Sequence, residues 1–173
     1  MGKSYGGGCR IIMKNGKLDR INLLKYLMVV LLIIYVVFLV TREGDNTVSV
    51  DTIEKNITKA VKLEGMKKGT TQDLKKYYSL NANDYEGISL YIPDDVMSVN
   101  EILVIKVKNE SQIETVEKAV ESRVNTQEKY FEGYGVEQTK LIHAAIIETR
   151  GRYVLLAVSK DADRIDAAFK KSI

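Results

Sequence analysis

The order of apolar and polar positions separates a long apolar run near the start of the chain from a patterned remainder. Residues 21–40 are interrupted only by Asn22 and Lys25, and residues 26–40 contain no charge, Gly, Pro, Ala or Ser. A helix of about 20 residues rising about 1.5 Å each matches a hydrocarbon core of about 30 Å, and Lys25 can snorkel to the headgroups. The segment 21–41 is therefore predicted to be a transmembrane helix. A secretory signal has a shorter apolar core followed by a small-x-small cleavage site, whereas Val40-Thr41-Arg42-Glu43-Gly44-Asp45 follows here, so the helix is expected to stay attached. It offers no small-x-x-x-small face for close helix pairing and reads as a tether.

Residues 42–49 are expected to form a stalk, and 50–173 a single α+β domain. Ile53, Ile57, Ala60 and Val61 recur at helical spacing behind candidate caps Ser49 and Asp51. Thr70 or Thr71 is placed to cap a second short helix that runs to Tyr78, and the turn formers Asn81-Ala82-Asn83-Asp84 follow. Strands are predicted over 88–92 and 101–108, joined by a turn at Pro93-Asp94-Asp95, and then a helix over 110–131. The same order recurs with strands over 141–149 and 152–159, a turn at Arg150-Gly151, and a helix over 161–171.

The helix over 110–131 carries Ile113, Val116, Val120, Val124, Gln127 and Phe131 along one face at spacings of three and four. The apolar runs 102–105 and 154–158 suit central strands. The predicted fold is α+β: an N-terminal transmembrane helix followed by a small antiparallel sheet of about four strands, packed with helices in the order ααββαββα, as a sandwich of two layers.

Charge changes the picture because it is unevenly placed. Of a net +3, the first 25 residues supply +5 through Lys3, Arg10, Lys14, Lys17, Arg20 and Lys25 against Asp19, which leaves −2 for the rest. Basic residues before the apolar run predict a cytoplasmic tail at 1–20 and a C-terminal domain outside the cell membrane. The nearly neutral domain offers no footprint for nucleic acid. With one cysteine, Cys9, ahead of the apolar run, the chain has no intramolecular disulfide and no cysteine-based zinc site. Gly6-Gly7-Gly8-Cys9 is in the wrong place for a lipobox, which ends an apolar run, and reads as a flexible tail.

No catalytic residue, cofactor or metal site is expected. The one histidine, His143, lies in the predicted strand 141–149, where a packed or rim role is expected. No serine has a lysine three residues later, Gly87-Ile88-Ser89-Leu90-Tyr91 lacks the closing glycine of a nucleophile elbow, and Gly133-Tyr134-Gly135 has Gln138 where a dinucleotide fingerprint needs glycine. Asp94 and Asp95 follow a proline in a turn, and Asp161 and Asp163 stand where carboxylates favour a helix dipole.

The stretch of most character runs from 130 to 138, with Tyr130, Phe131, Tyr134, Glu137 and Gln138 as candidate binding residues. Exposed tyrosines give contact area at low entropic cost, as protein or glycan recognition requires. In the alternative reading, Phe131 and one tyrosine finish the helix face and Gly133 or Gly135 provides its left-handed stop.

Two segments, MSVNEILVIKVKNESQIETVEKAVESRV and YFEGYGVEQTKLIHAAIIETRGRYVLLAVSKDADRIDAAF, together resemble a family of membrane-anchored or lipid-anchored envelope proteins of Gram-positive bacteria, domain of unknown function 4358. Its marks are Glu101 before a strand, Phe131-x-Gly133-Tyr134 with Glu137-Gln138, and Gly151-x-Tyr153-Val154. The resemblance implies an envelope location and a shared fold, with no activity attached. The expected function is that of a non-enzymatic binding or accessory module with a membrane anchor and an envelope protein or cell-wall partner. Two alternatives stand beside it. One is an envelope glycan- or acyl-modifying enzyme that pairs Asp94 or Asp95 with Glu101 or Glu137, and the other is a small-ligand sensor with an apolar pocket.

Overall fold

A computed structural model describes the backbone of residues 20–41 and 48–173, and side chains over 23–37 and 48–173. The tail 1–19 with Cys9, and the stalk residues 42–47, lie outside the described residues. The chain divides at Glu43 and Gly44 into two units.

The first unit holds helix α1, Arg20–Thr41. Its described apolar side chains, from Leu23 to Val37, are all exposed, which is unusual for aliphatic residues in water. Among the described residues no helix is long and apolar enough to cross a membrane, the side chains described in α1 being those of 23–37 alone.

The second unit is α+β, with one antiparallel sheet in the order β1-β2-β3-β5-β4. The strands are β1 Met66–Lys68, β2 Tyr85–Pro93, β3 Glu101–Val107, β4 Ile146–Arg150 and β5 Tyr153–Val158. Five strands replace the expected four. The added strand, Met66-Lys67-Lys68, has no apolar alternation and is held by its register on β2, Met66 opposite Pro93 and Lys68 opposite Tyr91. The helices of this unit are α2 Val50–Ala60, α3 Thr71–Tyr78, α4 Ile113–Phe131, α5 Val136–His143 and α6 Ala162–Ser172, so the order is αβαββααββα.

Every residue of β3 and β5 is buried, because helices cover both faces of the sheet. Leu103, Ile105, Val107, Val154, Leu156 and Val158 meet Leu74 of α3, Val116, Val120 and Phe131 of α4, and Ile142 of α5. On the other face Ile102, Val104, Tyr153, Leu155 and Ala157 meet Ile53 and Ile57 of α2 and Ile165 and Phe169 of α6. The sandwich thus has three layers where two were expected. Continuous apolar strands mark two-sided burial in parallel sheets, and here they mark it in an antiparallel one. The two strand-strand-helix stretches share their order but send α4 and α6 to opposite faces.

Local signals explain the helix ends. Ser49 caps α2 by accepting from the Thr52 amide at 3.3 Å, and Thr70 with Asp73 forms a reciprocal capping box on α3. α2 crosses the irregular Tyr85/Gly87 register of β2, and a Cβ on Gly87 would come within 2.8 Å of Val50 Cγ2, so glycine admits the close approach. The predicted strand 141–149 is corrected: Leu141, Ile142 and His143 close α5, and β4 begins only at Ile146. The apolar run spans both elements because Ile142 faces α4 while Ile146 packs on the α2–α6 side.

Phe169 has no solvent exposure beneath α2 and the sheet. Phe169→Ala is expected to lower the unfolding free energy by about 3–5 kcal/mol, measured by urea denaturation followed by circular dichroism.

Candidate functional site

The first residue of β3 is a fully buried carboxylate, Glu101. The Tyr78 hydroxyl donates to its Oε1 at 2.7 Å, Arg123 donates to Oε2 from Nε at 3.0 Å and Nη2 at 2.9 Å, and Gln127 Nε2 donates to Oε2 at 2.8 Å. α4 supplies Arg123 and Gln127 from one face, four residues apart, and α3 supplies Tyr78 from its last position. Burial, and next the negative Glu101, hold the Tyr78 hydroxyl well above the usual tyrosine range, so it stays a donor. The Arg123 guanidinium also sits 4.5 Å from the Tyr77 ring centroid.

Two members of this network, Arg123 and Gln127, also line a groove of about 500 Å³ between α3, α4 and the loop that joins β2 to β3. Tyr77, Arg123, Gln127 and Tyr130 line one side and Asp94, Asp95, Val96 and Ser98 the other, and Lys67 and Lys76 add two positive charges to the lining. Gln127 is nearly buried and its Nε2 is committed to Glu101, while its Oε1 is buried with no hydrogen-bond partner among the described residues. Exchanging the two ends of the amide would set Oε1 against the carboxylate, so the donor assignment follows from charge.

The five candidate residues separate. Tyr130 lines the groove and is 60% exposed, and Tyr134, 57% exposed, stands 6.3 Å from it in an edge-on ring contact. Phe131 is buried core, with its ring edge-on to Tyr130, and shares the groove wall. Gln138 Nε2 donates to the Met97 carbonyl at 2.9 Å and so ties α5 to the β2–β3 loop. Glu137 is exposed in the first turn of α5 and does not line the groove. Gly133, at φ +86°, supplies the left-handed stop of α4, and Gly135 does not. Val96 and Met97 are exposed on the β2–β3 loop and Val136 at the start of α5, two elements joined by the Gln138 bond, and they add aliphatic surface to that of the tyrosine pair.

Sequence reasoning missed Tyr77, Tyr78, Arg123, Val96 and Met97, and it placed Gln127 only as a stripe residue of α4. The signal was present in part: a polar residue in an apolar stripe needs a buried partner, and Arg123 precedes Gln127 by one helical turn.

His143 is exposed at the end of α5, 2.6 Å from Glu128 Oε1, and not in a strand. Asp95 Oδ1 accepts from the Met97 amide at 2.6 Å, a turn device. Asp161 is the N-cap residue of α6 and pairs with Arg164 at 3.3 Å. Among the described residues no group of three or more His, Cys, Asp or Glu is placed to hold a metal.

Removing one partner of a buried pair leaves an uncompensated charge. Arg123→Met is expected to cost about 3–5 kcal/mol of unfolding free energy, and the double change Glu101→Gln with Arg123→Met to recover most of it, read from a double-mutant cycle by chemical denaturation.

No curated protein and no solved structure matches the chain. A family model described as Domain of unknown function (DUF4358) matches residues 59–159, more than half of the chain. The matched stretch holds all five strands, α3, α4 and α5, and every residue that lines the groove. The chain belongs to that family of domains of unknown function.

Proposed function

We propose that this chain is a single-pass protein of the bacterial cell membrane whose N-terminus is cytoplasmic and whose domain 50–173 stands outside, as a non-enzymatic binding or accessory module of the envelope. The observation that carries the binding role is the groove and its rim, where Tyr130, Tyr134 and Val136 about the α4–α5 turn and Val96 and Met97 on the β2–β3 loop leave aromatic and aliphatic surface in water. Such surface costs free energy in an isolated domain and suits a partner. The tether rests on the apolar run 21–40, the basic excess before it and the exposed apolar side chains of α1.

The enzymatic alternative gains no support from the carboxylates. Both oxygens of Glu101 are occupied by Tyr78, Arg123 and Gln127, Asp95 is bonded within its own turn, and Glu137 is not in the groove. The sensor alternative called for an apolar pocket, and the groove mixes Tyr77, Pro93, Val96, Tyr130 and Phe131 with charged, amide and hydroxyl groups.

In intact cells Cys9 is expected to resist a membrane-impermeant maleimide, and Ser111→Cys to react; the reverse pattern overturns the orientation. A photo-reactive benzoylphenylalanine at position 134 is expected to give a discrete cross-linked adduct that the same group at the exposed position 118 does not, and equal patterns from both positions overturn the binding face.

A further inference from the structure

We infer that the groove beside the Glu101 network takes a neutral saccharide chain. The inference rests on the reading of this face as the binding face and adds the chemistry of its occupant.

Charge comes first. Lys67 and Lys76 in the lining are balanced by Asp94 and Asp95, and Arg123 is already neutralised by Glu101 at 2.9 Å. The wall therefore selects against ligands of strong net charge of either sign, because a phosphate chain would meet the two aspartates and a polycation the two lysines.

Hydrogen-bonding capacity comes second. Gln127 Oε1 is a buried acceptor without a partner among the described residues, and an unpaired buried acceptor costs free energy that an incoming O–H or N–H recovers. The Asp94 carboxylate makes no side-chain bond among the described residues. Thr126 Oγ1 donates to the Ser122 carbonyl at 2.7 Å, which leaves its lone pairs open to the groove it lines. The Ser98 hydroxyl accepts from the Asn100 amide at 3.4 Å and keeps its own proton to donate. The lining thus holds both acceptors and a donor, and vicinal hydroxyls, each both donor and acceptor, can pair with either kind.

The third feature is the ring surface. Tyr130 stands 60% exposed at the groove margin, braced edge-on by Phe131 at 5.0 Å between centroids, so its position is set before a ligand arrives. A pyranose presents an axial C–H face to such a ring while its equatorial hydroxyls turn to the polar wall. An apolar peptide side chain would instead strand Gln127 Oε1 and Asp94 under a group that cannot bond them. The volume of about 500 Å³ is in the range of small-ligand sites.

The test uses the full chain, isotope-labelled in detergent micelles, titrated by NMR with maltotriose, with an N-acetylglucosamine trisaccharide and with a blocked Ala-Gly-Ala peptide, each to about 10 mM. That concentration is about ten times what half-saturates a site with a Kd of about 1 mM. The expected result is a saturable shift of the Gln127 side-chain amide and the Tyr130 backbone amide with at least one trisaccharide. Tyr130→Ala is expected to weaken the affinity about tenfold and Asp94→Asn several-fold, with melting temperatures of both exposed-site variants near that of the parent. The saccharide inference is overturned if neither trisaccharide shifts these groups, if Tyr130→Ala leaves the affinity unchanged, or if only the peptide binds. Cross-linking from position 134 in the absence of saccharide shifts would retain the binding face and remove the saccharide alone.

Discussion

A carboxylate without solvent exposure governs the side of the sheet on which the groove lies. Glu101 opens a strand that is buried along its whole length, and an ionised carboxylate at such a place is tolerable only when its oxygens are bonded. That requirement ties two helices to β3: the end of α3 through Tyr78, and the middle of α4 through Arg123 and Gln127. Such a pair contributes little net stability against an apolar substitute, so its effect is better described as specifying where α4 sits. Once α4 is placed, Thr126, Gln127, Tyr130 and Phe131 follow along it into the groove wall.

The strong periodicities were legible. α4 and α6 follow from apolar positions three and four apart, and β3 and β5 from unbroken apolar runs. The same runs held the layer count, since a strand apolar at successive positions is covered on both faces, but the second helical layer formed by α2 and α6 went unread. β1 carries no pattern of its own and exists by virtue of β2. The run 141–147 serves a helix end and then a strand start on opposite sides of the sheet, a division that periodicity over so short a stretch does not resolve.

The groove was legible at one wall. Two glycines and two tyrosines after a long helix pointed to the α4–α5 turn, and the resemblance placed Glu101 among the marks of the family. The opposing wall was not, because Asp94, Asp95 and Val96 lie more than thirty positions earlier and meet α4 only through the fold. The tie between the walls, Gln138 to the Met97 carbonyl, is likewise a contact between distant positions that sequence spacing does not encode.

The placement of β5 has a consequence for biosynthesis. β3 pairs with β2 on one edge and with β5 on the other, Glu101 opposite Val158, and all of α4, α5 and β4 are made between the two. Until β5 is synthesised, β3 keeps one open edge, and the face that α6 will cover carries Ile102 and Val104 without Phe169 or Ile165 to meet them. A central strand with one unpaired edge and an apolar face that α2 alone covers is the kind of surface that associates with other chains. The nascent domain therefore passes through an interval in which β3 depends on chaperones or on delayed collapse for protection, and that interval ends only when the chain has returned to the middle of its own sheet.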